Sequence, residues 1–153
     1  MSRVDPHRLD PSFYPLKVRI LARYADVDPL WHINNVAIAQ YYEEARVTAG
    51  ARMFGGVRIP TAAGERVLVA HQSIDYLREA GYPGKLEVGI GVLKIGNTSY
   101  TYGMGMFQEG RCVSVSSAVM VFADDRGPAR VPDQYRERLE SWLLGAVPGT
   151  GED

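Results

Sequence analysis

Between residues 65 and 123 the chain reads as four strand-like runs whose breaks are too short to carry crossover connections, so neighbouring runs must lie side by side and antiparallel. Residues 65–78 form the first long run, and Gly81, Pro83 and Gly84 supply the next turn, with Pro83-Gly84 suited to the centre of a type II turn. Residues 85–95 and 98–109 flank Gly96-Asn97, a two-residue hairpin connection, and Glu109-Gly110 leads into residues 111–123. In the simplest register across Gly96-Asn97, Leu86, Val88, Ile90 and Val92 share a face with Phe107, Gly105, Gly103 and Thr101. Gly89 and Gly91 then lie across from Met104 and Tyr102, and one bulge would exchange the two faces.

Two further elements precede this meander. PLKVRILARY, residues 15–24, alternates Leu16, Val18, Ile20 and Ala22 with Lys17, Arg19 and Arg23, the period of a half-buried strand. After a break at residues 26–33, Asn34-Asn35 offers helix-capping acceptors. Ile38, Tyr41, Tyr42, Ala45, Thr48, Ala49 and Met53 then recur at helical spacing as far as Gly55-Gly56. Glu43, Arg46 and Arg52 are expected on the polar side, with Glu43 and Arg46 spaced for an ion pair. The tail turns at Gly127-Pro128 and resumes helical spacing through Tyr135, Leu139, Trp142 and Leu143. Strand, long helix, four strands and short helix in that order predict an α+β fold with a segregated antiparallel sheet.

A chain of 153 residues with 46% hydrophobic content supports one domain over residues 1–153. Its 17 basic and 18 acidic residues nearly cancel, which argues against electrostatic binding of nucleic acid or of an anionic membrane. Cys112 is the only cysteine, so no intrachain disulfide is possible and a reducing compartment fits. The first fifteen residues hold Arg3, Asp5, His7, Arg8, Asp10 and three prolines and lack a signal-like apolar stretch. The apolar run Ala118–Ala123 is far below the roughly 20 residues that span a bilayer, so the expected location is the cytoplasm.

The segment from Asp26 to Asn35 concentrates the chemically able groups. A carboxylate just before a helix start can act as nucleophile or general base, and free N–H groups of the first turn can polarise a carbonyl oxygen, a combination suited to acyl transfer. The same aspartates also suit caps and turns. There is no metal-binding H-x-x-x-H or H-E-x-x-H spacing and no G-x-S-x-G elbow, and neither a metal nor a cofactor is expected. His71 and Cys112 read as structural, and the tyrosines 76, 82, 100 and 102 as packing and pocket walls rather than chemistry.

RYADVDPLWHINN (23–35) followed by YYEEAR (41–46) resembles the signature of the 4-hydroxybenzoyl-CoA thioesterase-like hot-dog family, in which R-[YF]-x-D-x-D-x-x-G-H-V-N-N precedes a helix ending in E-A-R. IDYLREAGYPGKLEV and KIGNTSYTY extend the similarity, so it covers approximately residues 15–124. The resemblance implies a hot-dog fold, a curved antiparallel sheet wrapped around a long central helix, assembled as a homodimer with sites at the subunit interface or as a tetramer made from dimers. It implies acyl-CoA thioester hydrolysis without a cofactor. The catalytic aspartate falls on Asp28, the oxyanion-polarising N–H close to Asn35, and Asp26 becomes a supporting residue.

His32 shares proton transfer or orients substrate on this reading, with loop hydrogen bonding as its structural alternative, and Asn34 is a cap first and a substrate contact second. Glu44 is the fallback base. Lys94, Asn97, Thr98 and Ser99 match a region that contacts CoA in similar proteins, with Arg78 and Arg111 in reserve. Trp31 stands where Gly is usual and would reshape the acyl pocket, and Ile38 stands where Tyr is common. The competing function is a non-catalytic acyl-CoA-binding or scaffold dimer that uses the same groove.

Overall fold

In Leu16–Leu21 (β1) the side chains of Leu16, Val18 and Ile20 are buried and the alternate ones exposed, as the two-residue period requires. The computed structural model describes residues 4–55 and 64–145. Asn35–Phe54 forms α1, whose buried stripe includes Ile38, Tyr41, Tyr42, Ala45, Ala49 and Met53. Asn34 caps it by accepting the Ala37 N–H at 2.7 Å. At the other end Gly55 adopts φ 71°, and Arg138 donates to the Met53 carbonyl at 2.9 Å, satisfying an orphan acceptor of the last turn. Gly56, expected to share the helix stop, lies outside the described residues.

Arg66–Tyr76 (β2), Lys85–Ile95 (β3), Ser99–Gln108 (β4) and Arg111–Asp124 (β5) complete the main sheet in the order β1-β3-β4-β5-β2, and Gly127–Pro128 (β6) pairs with β5. All pairings are antiparallel. The sheet curls around α1, and the core between them draws Leu86, Val88, Ile90, Val92, Tyr102, Met104 and Met106 from β3 and β4. Asp133–Glu140 forms the short C-terminal helix α2. The hot-dog architecture expected from the resemblance is the one observed.

Three local expectations are corrected. The β3–β4 connection is not the two residues Gly96-Asn97: Ile95 pairs with Tyr100 and the Gly96 N–H donates to the Ser99 carbonyl at 2.7 Å, and a bulge between Val92 and Lys94 then moves the register by one and exchanges the faces, so Val88 faces Met106, Ile90 faces Met104, and Gly89 and Gly91 face Gly105 and Gly103. Large residues therefore meet on the inner face and glycines on the outer one. The glycines leave room for Tyr14, whose ring atoms would lie 2.6 Å from a Cβ at Gly89, and for Leu144, 2.5 Å from one at Gly91. Gly84 does not adopt positive φ, so the turn at Pro83-Gly84 is not type II. Arg46 is buried rather than exposed, and it forms no ion pair with Glu43. Glu109 and Gly110, by contrast, both have positive φ, 51° and 77°, as the expected tight hairpin demands.

Candidate functional site

The link from β1 to α1 is built around two carboxylates with different work. Asp26 is 3% exposed, and its side chain accepts from Arg23 Nη2 at 2.9 Å, from the Arg23 N–H at 3.2 Å and from the Tyr41 hydroxyl at 2.5 Å. The Arg23 guanidinium, foremost, holds this carboxyl below the usual carboxylate range against the opposing effect of burial. Burial, then the anionic neighbour, pushes the Tyr41 phenol up. The Asp26 carbonyl also accepts the Asn34 N–H at 2.9 Å, which ties the loop to the helix start. Asp26 thus holds the loop against the Arg23 backbone and guanidinium and against α1.

Asp28 opens a small hairpin. Val27 and Ile33 form a bridge, the Trp31 N–H donates to the Asp28 carbonyl at 3.0 Å, and the Asp28 N–H donates to the His32 carbonyl at 2.8 Å. Trp31 sits at φ 64°, the left-handed position that ends a three-residue hairpin loop and that glycine fills at least cost. Asp28 Oδ1 accepts the Leu30 N–H at 2.9 Å and the His32 N–H at 3.0 Å. Among the described residues nothing hydrogen-bonds Oδ2.

One cleft of about 320 Å³ is lined by Asp28, His32 and Asn35 together with Ile38, Tyr76 and the segment 77–80. His32 Nε2 lies 3.1 Å from Glu79 Oε2, and backbone pairing fixes this approach: Ile33 donates to the Ala80 carbonyl at 2.8 Å and His32 bridges Gly81. Asn35, the first residue of α1, has no intrachain acceptor for its N–H among the described residues, and Tyr76 donates to its carbonyl at 3.3 Å. Asp28, with one unengaged carboxylate oxygen, the His32 imidazole and Asn35 at the helix start thus line one open cleft, residue types that can attack or hydrate a carbonyl and hold the resulting oxyanion. On the other side of Asp28, Tyr24, Val27, Pro29 and Trp31 line a second cleft, with the Tyr24 and Trp31 rings 6.1 Å apart.

The family model of the thioesterase-like superfamily matches residues 22–139, a span holding this loop, α1 and the whole meander. The chain belongs to the thioesterase-like superfamily. Solved structures agree. The PA5185 protein from Pseudomonas aeruginosa strain PAO1 is 26% identical over 91% of this chain and 99% of its own, with a TM-score of 0.79. A thioesterase from Thermus thermophilus, complexed with coenzyme A and Zn, is 27% identical over 82% of this chain and 98% of its own, with a TM-score of 0.71. A thioesterase-superfamily protein from Jannaschia sp. CCS1, 23% identical over 87% of each chain with a TM-score of 0.73, shares the fold. No curated protein matches the chain.

Within this thioesterase-like frame the expected residues divide into two groups. Asp28, His32 and Asn35 meet in one cleft and Trp31 borders the neighbouring one, whereas Asn34 spends its side chain on the helix cap. Lys94, Asn97, Thr98 and Ser99 lie at the far end of β3. Leu21, just ahead of the Asp28 loop, pairs with Lys85 at the opposite end, about 30 Å away along an eleven-residue strand. The 96–99 turn is anchored to the C-terminal region: Asn97 O accepts from Val131 N at 2.9 Å and Thr98 O from Phe122 N at 2.8 Å. Tyr76 lines the cleft as the pocket wall expected of it, Ile38 does so where the family often has Tyr, and Glu79 enters unannounced. Glu79 reaches His32 through pairing between segments more than forty residues apart, and no local pattern encodes that.

No group of three His, Cys, Asp or Glu among the described residues is placed to hold a metal ion. No described helix is long and apolar enough to cross a membrane.

Proposed function

We propose that this thioesterase-like protein hydrolyses an acyl-CoA thioester to the free acid and CoA, with Asp28 as the reacting carboxylate. The observation that supports the reading is that Asp28, His32 and Asn35, the first residue of α1, line one cleft. Leu30 and His32 N–H groups fix Asp28 Oδ1, leaving Oδ2 to attack the thioester carbonyl or to take a proton from water that does so. The N–H at the start of α1 offsets the charge developing on the carbonyl oxygen. His32, held by Glu79, orients the reacting group or shares its proton. The coenzyme A in the Thermus thermophilus thioesterase supports CoA as the carrier.

The CoA-contacting role of Lys94, Asn97, Thr98 and Ser99 is part of this proposal and requires a second copy, because one chain holds that turn at the far end of β3 from Asp28. A homodimer, alone or doubled into a tetramer, is therefore the proposed assembly. Its support is the edge strand β2, where Leu68, Val69 and Tyr76 are exposed beside an unpaired backbone edge. The test is release of CoA thiol from a panel of short, long and aromatic acyl-CoA donors. Steady release is expected; no release from any donor removes the hydrolase reading, and tight binding without turnover replaces it with a ligand-holding dimer.

A further inference from the structure

Arg78, Glu79 and Ala80 follow β2 in succession and all line the Asp28 cleft. Two of them are engaged with the Asp28 loop: the Ala80 carbonyl accepts the Ile33 N–H at 2.8 Å, and Glu79 Oε2 lies 3.1 Å from His32 Nε2. Arg78 is exposed, and among the described residues its guanidinium forms no ion pair and no hydrogen bond. Other arginines are committed to the fold. Arg23 holds Asp26, Arg136 and Arg138 donate to the Gly96 and Met53 carbonyls, and Arg130 pairs with Asp133.

The backbone of Arg78 is fixed although its side chain is free. The Leu77 and Arg78 N–H groups both donate to the Val113 carbonyl, at 2.9 and 3.0 Å, directly after the Tyr76–Ser114 pair. Two residues against one is the pattern of a β-bulge, which ends the alternation of β2 and lets residues 76–80 line one cleft in succession. An unengaged guanidinium is thus carried on a pinned segment of the cleft wall.

Charge gives that guanidinium a use. Asp28 and Glu79, the other ionisable side chains of the cleft besides His32 and Tyr76, are both carboxylates, and a CoA thioester is itself an anion. Arg78 is the one lining residue that stays cationic at any working pH, and its planar fork matches phosphate and carboxylate oxygens. We propose that Arg78 binds anionic oxygens of the thioester substrate, in the same chain that supplies Asp28. Two parts of such a substrate carry them: the CoA diphosphate, at the far end of the pantetheine arm, and a carboxylate at the end of a short acyl chain. The proposal rests on the thioesterase reading for the substrate but not for the anion site.

The experiment measures kcat and KM for three donors in wild-type, Arg78→Gln and Arg78→Lys protein. Hexanoyl-pantetheine carries neither anion, hexanoyl-CoA carries phosphates alone, and adipoyl-pantetheine carries a carboxylate alone. Arg78→Gln should raise KM about tenfold for the donor whose anion is bound, with kcat within about twofold, and should leave hexanoyl-pantetheine unchanged. A rise with hexanoyl-CoA identifies the phosphate as the source, and a rise with adipoyl-pantetheine the carboxylate. Arg78→Lys should recover part of the loss, because the charge returns without the fork.

KM values that stay unchanged in Arg78→Gln, or that rise equally with hexanoyl-pantetheine, overturn the proposal. If no thioester is hydrolysed, the thioesterase reading fails separately, and the site is read by thermal melting with CoA and with adipate. A rise with either that is lost in Arg78→Gln upholds the anion site; no rise, or one that survives in Arg78→Gln, overturns it.

Discussion

Asp28 and His32 hold each other twice: the Asp28 N–H donates to the His32 carbonyl at 2.8 Å, and the His32 N–H donates to the Asp28 carboxylate at 3.0 Å. The first contact closes the hairpin and the second fixes the carboxylate's rotamer, so the same residue serves the loop with Oδ1 and has Oδ2 left for chemistry. The structural and catalytic readings of Asp28 are thus not rivals but belong to different oxygens.

This division separates two substitutions. Asp28→Asn keeps an amide oxygen for the Leu30 and His32 N–H groups but removes nucleophilicity and basicity, so turnover should fall by ~10²–10⁴-fold with an unchanged melting temperature. Acyl-CoA binding should persist, since neutralising a carboxylate removes repulsion toward an anionic ligand. Asp28→Ala should lose the activity and also about 1 kcal/mol of stability. Steady-state rates and thermal melts on both variants check this; near-native turnover in folded Asp28→Asn would transfer the role to Glu44.

Much of this site was legible because its signals are local. Asn34 caps α1 as its residue type suggests, Asp26 and Asp28 lie within one ten-residue loop, and the burial of Leu16, Val18 and Ile20 follows from their alternation. What escaped depends on contacts distant in sequence. Glu79 finds His32 through a strand-like pairing that neither segment announces, and the β3–β4 faces depend on one bulge at Leu93. Arg46 was expected on the polar face because arginine usually is, and because Glu43 stands three residues away; helix orientation against the sheet decided otherwise.

Trp31 at φ 64° is a bulky side chain on a left-handed backbone, a conformation that costs an L-residue roughly 1–2 kcal/mol. Glycine removes that cost but adds chain entropy, and the indole is 59% exposed, so little packing is lost. Trp31→Gly should therefore stabilise the fold by about 0.5–1 kcal/mol, with a higher urea midpoint and an unchanged slope. A lowered midpoint would mean that the contact with the Tyr24 ring outweighs the backbone strain.

Asp26 gives the opposite result to Asp28. Its two oxygens accept from the Arg23 backbone and guanidinium and from the Tyr41 hydroxyl, so an amide in its place must turn an N–H₂ toward a donor. Asp26→Asn should cost on the order of 1–3 kcal/mol at pH 7, discounted toward the lower end because the Arg23 side chain is largely exposed, while lowering turnover far less than Asp28→Asn does. The loss should depend on pH in one direction. The carboxyl titrates lower in the folded chain than its unfolded value of about 3.9, so its stabilisation is complete above that pH and disappears as pH falls through the folded value. Urea midpoints at about pH 7, 5, 4 and 3 should show a constant gap between wild-type and Asp26→Asn protein down to about pH 5, then a narrowing one. A gap that stays constant to the lowest pH would mean that packing around the side chain, rather than its charge, holds the loop.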